Sequence, residues 1–195
     1  IDPELAILHV AVFLGDSLYD FFRYRSGGIE SHFYIRFDGT IEQYRDTNYE
    51  ADANYKANPR AISIETEGMG SGEWTQAQLD AIKELLVWIN QAHPKMRLQK
   101  ASGAYGSGVG YHIQFGSPGA WTPVAKACPG ASRIAQYHNT IVPWLNKGAA
   151  LNQEETDIMA DDDVRKQLNR IEAGVERNTR LTKAVRERDL KQTKR

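Results

Sequence analysis

A mixed α/β domain followed by a charged helical extension is the fold class that this 195-residue sequence predicts. Three observations carry the expectation. Short β-type runs recur before residue 150, one well-capped helical run lies among them, and residues 164–195 show mostly three- and four-residue apolar spacing with no glycine or proline beyond Gly174. The boundaries that follow are a domain over 1–150 and, over 151–195, an acidic linker with a basic amphipathic helix.

Leu5 to Phe13 is an apolar run with His9 in its middle and Gly15 just beyond, the pattern of a buried strand. His32 to Phe37 and Thr40 to Tyr44 flank Asp38-Gly39, a favoured tight-turn dipeptide, and form a hairpin signal. Ala61 to Glu67 alternates, with Ile62 and Ile64 on one face and Ser63, Glu65 and Glu67 on the other. Thr75 and Gln78 make a capping box, and Leu79, Ile82, Leu85, Leu86 and Ile89 continue it as a helix toward His93-Pro94. Residues 102–119 are dense in glycine, which places His112 on a loop. Pro129 suits the first turn of a helix running through Ile134, Tyr137, His138 and Ile141 to Leu145, with Cys128 at its N-terminus.

The formal charge of −1 conceals an asymmetry. Residues 154–163 hold six acids and no bases, whereas 164–195 hold eleven bases against four acids. The apolar seam Val164, Leu168, Ile171, Val175, Leu181, Val185 is interrupted by Asn178 and Thr182, so the helix allows an oligomer without specifying one. Through Gln153 there are thirteen bases against fifteen acids, which gives nucleic-acid binding no support in the core. One cysteine excludes an intrachain disulfide framework. No apolar run of eighteen residues or charged-then-apolar leader occurs in the sequence, so neither membrane insertion nor a secretion signal is expected here.

Chemistry concentrates in a few residues. His9, His112 and Cys128 offer two nitrogens and a sulfur, a donor set that zinc takes tetrahedrally while a catalytic site keeps a fourth position open. Lys126, two residues before the cysteine, would share its cleft if the segment is extended, and a helix N-terminus beside a lysine would favour thiolate. Taken singly, each has a plainer role. A lone cysteine is commonly a buried small hydrophobe, a strand histidine is commonly a hydrogen-bonded core residue, and Glu65 could be a solvated carboxylate. Cys128 could also be a nucleophile with His112 as its base. Tyr24, Tyr105, Tyr111 and Trp121 are candidate rim aromatics for sugar or peptide, or ordinary packing.

Five ordered blocks spanning Leu5 to Leu145 resemble a known family. They are Ile7-Leu8-His9, the Ser31-His32-Phe33-Tyr34-Ile35 to Asp38-Gly39-Thr40 hairpin, Ser63-Ile64-Glu65-Thr66-Glu67-Gly68, Gly110-Tyr111-His112 and Lys126-Ala127-Cys128-Pro129-Gly130. Together they resemble the zinc-dependent N-acetylmuramoyl-L-alanine amidases of the type-2 amidase and peptidoglycan-recognition family. The last block most resembles amidase modules of phage endolysins, particularly those of phages infecting mycolic-acid-bearing actinobacteria.

The resemblance implies a central mixed β-sheet flanked by helices and a zinc amidase catalytic domain over 1–150. It implies zinc held by His9, His112 and Cys128, Glu65 as general base, with Glu67 as the alternative if the strand register slips, and Lys126 stabilising developing negative charge. Ser31 stands where several relatives carry tyrosine, which moves the base role to Glu65. Val10 replaces a frequent second histidine. The partner implied is bacterial peptidoglycan, met after accumulation in a host cytoplasm. A non-catalytic peptidoglycan-binding module of the same fold is the competing expectation.

Overall fold

The computed structural model describes residues 1–25 and 27–151. Five strands, β1 (Leu5–Leu8), β2 (Phe33–Ile35), β3 (Ile41–Gln43), β4 (Ala61–Thr66) and β5 (Gly108–Tyr111), form one sheet in the order β3-β2-β4-β1-β5. β1 runs parallel to both β4 and β5, and β2 parallel to β4, whereas β2 and β3 form an antiparallel hairpin. The expected mixed sheet is therefore present. Helices α1 (Tyr19–Tyr24), α2 (Gln76–Ala92), α3 (Ala131–Gln136) and α4 (Val142–Leu151) accompany it, with a π-turn over Tyr137–Ile141 joining the last two. A 3-10 turn over Tyr55–Arg60 leads into β4. The acidic linker, the basic helix and any oligomer formed through it lie outside the described residues. No described helix is long and apolar enough to cross a membrane.

Both faces of β1 are covered, as parallel central strands require. Ala6 and Leu8 join Ile62, Ile64, Phe33 and Ile35 against Leu79, Ile82, Leu85, Leu86 and Ile89 of α2 and Tyr137, Ile141 and Leu145 of the C-terminal helices. Leu5 and Ile7 face the other way into a smaller cluster with Ala57, Ala61, Ala101 and Trp121. The α2 capping box is complete. Thr75 Oγ1 accepts from the Gln78 amide, and the Gln78 side chain accepts from the Thr75 amide.

Three expectations are corrected. β1 ends at Leu8 rather than reaching Phe13, because beyond it the chain bonds on the β4 side, through His9 to Ile64, Ala11 to Thr66 and Phe13 to Gly68. The glycine-rich stretch contains a strand, β5. Its glycines mark close approach: a Cβ on Gly110 would lie 2.7 Å from the Trp121 ring, and one on Gly108 would lie 2.4 Å from the Gln99 carbonyl oxygen. Finally, α3 starts at Ala131 with Gly130 as N-cap, so Pro129 and Cys128 precede the helix. Gly130 has φ +97° and packs on Gly70, whose carbonyl oxygen would be 2.0 Å from a Cβ there.

His32 shows how the sheet's polar face is satisfied. Its Nδ1 accepts from the Ser63 amide at 3.0 Å and its Nε2 donates to the Tyr49 carbonyl at 2.9 Å. Ser31 Oγ completes the cluster at 3.0 Å from the Ser63 carbonyl oxygen. Burial lowers the His32 pKa to about 4, against the opposing pull of the Tyr49 carbonyl. The folded state thus holds this ring neutral where the unfolded chain would protonate it. The resulting stability is complete above pH ~6.5 and is lost as the pH falls to about 4, a span worth roughly 3 kcal/mol. Urea midpoints measured from pH 7 to 4 should fall more steeply for the native chain than for His32→Gln. Equal slopes would show that His32 does not carry this linkage.

Candidate functional site

The site forms at the carboxyl ends of the parallel strands, where adjacent chains leave the sheet. His9 follows β1, His112 follows β5, and Glu65 is the fifth residue of β4. Pairing β1 between β4 and β5 places these residues together by register: Leu8 is opposite both Ile64 and Tyr111. Cys128 arrives from the loop before α3. Its Sγ accepts from the Val10 amide at 3.3 Å and lies 3.8 Å from His9 Nδ1. The His9 and His112 rings are tilted with centroids 4.4 Å apart.

Ligand atoms of His9, His112 and Cys128 lie within 4.8 Å of one another. Among the described residues this is the group of histidine, cysteine or acidic side chains arranged to hold a metal ion. Two nitrogens and one sulfur converging at this distance fit zinc by donor chemistry and number, and leave a position free. The surroundings keep both rings neutral, the form a ligand needs. Burial lowers the His9 pKa well below its ordinary value, aided by His112 and Lys126 and opposed by the Asn54 hydrogen bond. Burial lowers that of His112 to about 4, with Lys126 adding and the Trp121 carbonyl opposing.

Cys128 differs from its sequence expectation. Burial pushes its thiol up to about 12 and the Glu65 carboxylate reinforces the rise, whereas the Val10 amide, Lys126 and Arg133 oppose it. Without a helix terminus beside it, this cysteine is not a preformed thiolate nucleophile; a bound cation would be what removes its proton.

Glu65 Oε1 lies 3.8 Å from His9 Nδ1, and its Oε2 is buried without a hydrogen-bond partner. Burial raises this carboxyl to about 8, with Lys126 opposing. A carboxyl with one free oxygen beside a ligand cluster is placed to exchange protons. Glu67 is placed differently. Its two oxygens accept from the Gly15 amide at 3.1 Å and the Phe37 amide at 2.8 Å, so it ties two loops to the strand end. Lys126 is exposed, on a segment without regular structure rather than a strand. Its backbone is pinned by Ser117 Oγ, and its charge acts on Glu65, His9, His112 and Cys128 alike.

Of the four candidate rim aromatics, Trp121 and Tyr111 pack, while Tyr105 and Tyr24 stand exposed. Trp121 is 1% exposed, donates through Nε1 to the Ala104 carbonyl and packs in the smaller core. Tyr111 stacks edge-on with Tyr137 and His138. Tyr105 lines a cleft of about 420 Å³ with Glu4, Arg60 and Ser107, which precede the strands at their amino ends, away from the histidines. Tyr24 ends α1 as an exposed ring over which Arg23 lies.

Two buried residues had no sequence signal. Asn54 meets His9 Nε2 at 2.8 Å, yet an asparagine in Asp52-Ala53-Asn54 reads as an ordinary turn. Arg133 is fully buried; its Nη1 donates to the Met69 carbonyl at 2.8 Å and toward that of Pro129 at 3.4 Å, tying the loop after β4 to the cysteine loop. Gly68 makes room, since a Cβ there would lie 2.2 Å from Arg133 Nη2.

The family model described as N-acetylmuramoyl-L-alanine amidase matches residues 3–131. Among solved structures, N-acetylmuramoyl-L-alanine amidase LysC from Clostridium intestinale is similar at 22% identity and TM-score 0.56, over 74% of this chain and 86% of that one. The Ph2119 endolysin of a Thermus scotoductus bacteriophage is similar at 19% identity and TM-score 0.53, over 71% and 84% of the two chains. Drosophila peptidoglycan recognition protein SD is similar at 16% identity and TM-score 0.53, over 69% and 79%. At these identities the structural likenesses show the fold. No curated protein matches the chain.

Proposed function

The chain belongs to the N-acetylmuramoyl-L-alanine amidase family, and from that premise we propose that it hydrolyses the amide between the lactyl group of N-acetylmuramic acid and L-alanine of the stem peptide by zinc-activated water. The observation that carries the mechanism is the convergence of His9, His112 and Cys128 ligand atoms within 4.8 Å, beside the unpartnered Glu65 oxygen. Held by those three side chains, zinc would supply Lewis acidity, making water nucleophilic near neutral pH and polarising the scissile carbonyl.

The chain's own residues do the rest. Glu65 accepts the proton that the attacking water loses and returns it to the alanine nitrogen as the C–N bond breaks, leaving a carboxylate and a free amine. Lys126 meets the negative charge that develops on the carbonyl oxygen. Loss of one such donor typically costs ~3–4 kcal/mol, so Lys126→Ala should lower kcat by ~10²–10³-fold with zinc affinity retained. Unchanged kcat would reduce Lys126 to a surface charge.

The resemblance of the Lys126 to Gly130 block to phage endolysins supports a lytic role: accumulation in the host cytoplasm, then action on the bacterial cell wall. A thiol peptidase is disfavoured by the burial that raises Cys128 to about 12. A purely binding module is disfavoured by the complete donor set with Glu65 beside it. Mass spectrometry of digested peptidoglycan tests the proposal. Stem peptides beginning with L-alanine should be released from intact sacculi by the zinc-loaded protein and not after chelation. Intact muropeptides, or cleavage that survives chelation, would overturn it. Release from soluble fragments alone would point to a recycling role instead of lysis.

A further inference from the structure

We infer that Asn54 is a positioning residue that fixes the tautomer of His9 and so presents its Nδ1 to the metal. The inference rests on the zinc reading above and goes beyond the ligands themselves. The two histidines are oriented by different devices. His112 Nε2 lies 3.1 Å from the Trp121 carbonyl oxygen, which can only accept; the ring must carry its proton there and expose Nδ1. His9 Nε2 instead lies 2.8 Å from Asn54 Oδ1, the acceptor of a side-chain amide that is fully buried. A carboxamide can present either end, so its orientation matters.

With Oδ1 toward the ring, His9 carries its proton on Nε2 and its Nδ1 lone pair faces Cys128 Sγ and Glu65 Oε1, each 3.8 Å away. With the amide reversed, Nδ2 would donate to Nε2 and the proton would move to Nδ1, blocking the ligand atom. Asn54 Nδ2 is buried without a hydrogen-bond partner, so no second contact among the described residues holds the amide in place of the ring. The backbone beneath it is fixed independently. Asn54 caps the 3-10 turn, and its amide donates to Asn58 Oδ1, which also accepts from Ala53; Asn58 Nδ2 in turn donates to Asp52 at 2.9 Å. This chain of contacts holds the Asn54 Cα while leaving its amide to serve His9. Among the described residues the His9 contact is the one hydrogen bond of this side chain, so a substitution at Asn54 that keeps its volume removes that side-chain contact and no other.

The test uses the full chain, labelled with ¹⁵N, with Asn54→Leu and Asn54→Asp as variants. Leucine removes the acceptor at similar volume; aspartate keeps it. Zinc dissociation constants are read by competition with a chromophoric chelator, and the His9 tautomer from its ring nitrogen shifts before zinc is added. The expected result is an Nε2–H ring in the native chain, a ~10–100-fold weaker zinc affinity with a mixed tautomer in Asn54→Leu, and recovery of most of the affinity in Asn54→Asp. Native zinc affinity and an unaltered tautomer in Asn54→Leu would overturn the inference while leaving the amidase proposal intact. A native ring protonated on Nδ1 would overturn it without any variant. A native chain that binds no zinc would overturn both.

Discussion

Glu65→Gln is expected to lower kcat by ~10²–10⁴-fold while leaving the zinc dissociation constant close to that of the native chain. The substitution is nearly isosteric and removes only the ability to take and return a proton. Glu65 is suited to that task because burial raises its carboxyl to about 8 even with Lys126 opposing, and a bound cation would lower it from there. It works as a base only when deprotonated, so native activity should fall on the acid side of that pKa and Glu65→Gln should lose this limb. Single-turnover release of L-alanine-terminated peptides across pH measures both effects. Glu67→Gln is the control: it weakens the acceptor that holds the Gly15 and Phe37 amides, and should lower thermal stability more than turnover. If Glu67→Gln abolished turnover and Glu65→Gln did not, the two roles would be reversed.

Cys128→Ser should remove tight zinc binding and amide hydrolysis together. Its expected loss of metal affinity exceeds the ~10–100-fold typical of a supporting hydrogen bond, because the change deletes a ligand. The Sγ sits near His9 Nδ1 under the Val10 amide, in surroundings that hold the thiol protonated without a cation. Zinc binding should therefore release a proton, and the loaded protein should resist alkylation by iodoacetamide, whereas the chelated protein should react slowly at high pH. Calorimetric titrations in buffers of different ionisation enthalpy count that proton. Retained zinc affinity in Cys128→Ser, or hydrolysis indifferent to chelator, would exclude the thiol as a ligand.

Much of this architecture was legible because its signals are local. The alternation of Ala61 to Glu67, the Thr75–Gln78 capping box and the turn at Asp38-Gly39 each depend on neighbours within a few residues, and each formed as expected. The ordered blocks also picked out His9, His112 and Glu65, which the sheet register brings together, and Cys128, which joins them from the loop before α3. What sequence concealed depends on partners far along the chain. Gly108 and Gly110 resemble loop residues until Gln99 and Trp121 are packed against them. Trp121 reads in sequence as a candidate rim ring, yet its contribution is a backbone carbonyl to His112. Asn54 carries no motif, since its meaning lies in a contact forty-five residues away.

The sheet order has a consequence for biogenesis. β1 is made first but occupies an interior position, and its two neighbours begin at residues 61 and 108. Pairings this distant in sequence demand loop closure before they return any stabilisation, so the domain should fold slowly for its size. Until β5 emerges, one edge of an apolar four-residue strand stands open to other chains. Cys128 arrives later still, 119 residues after His9. The ligand set is consequently complete only once residue 128 has been made: a nascent chain ending before it holds the two histidines and Glu65 without the sulfur.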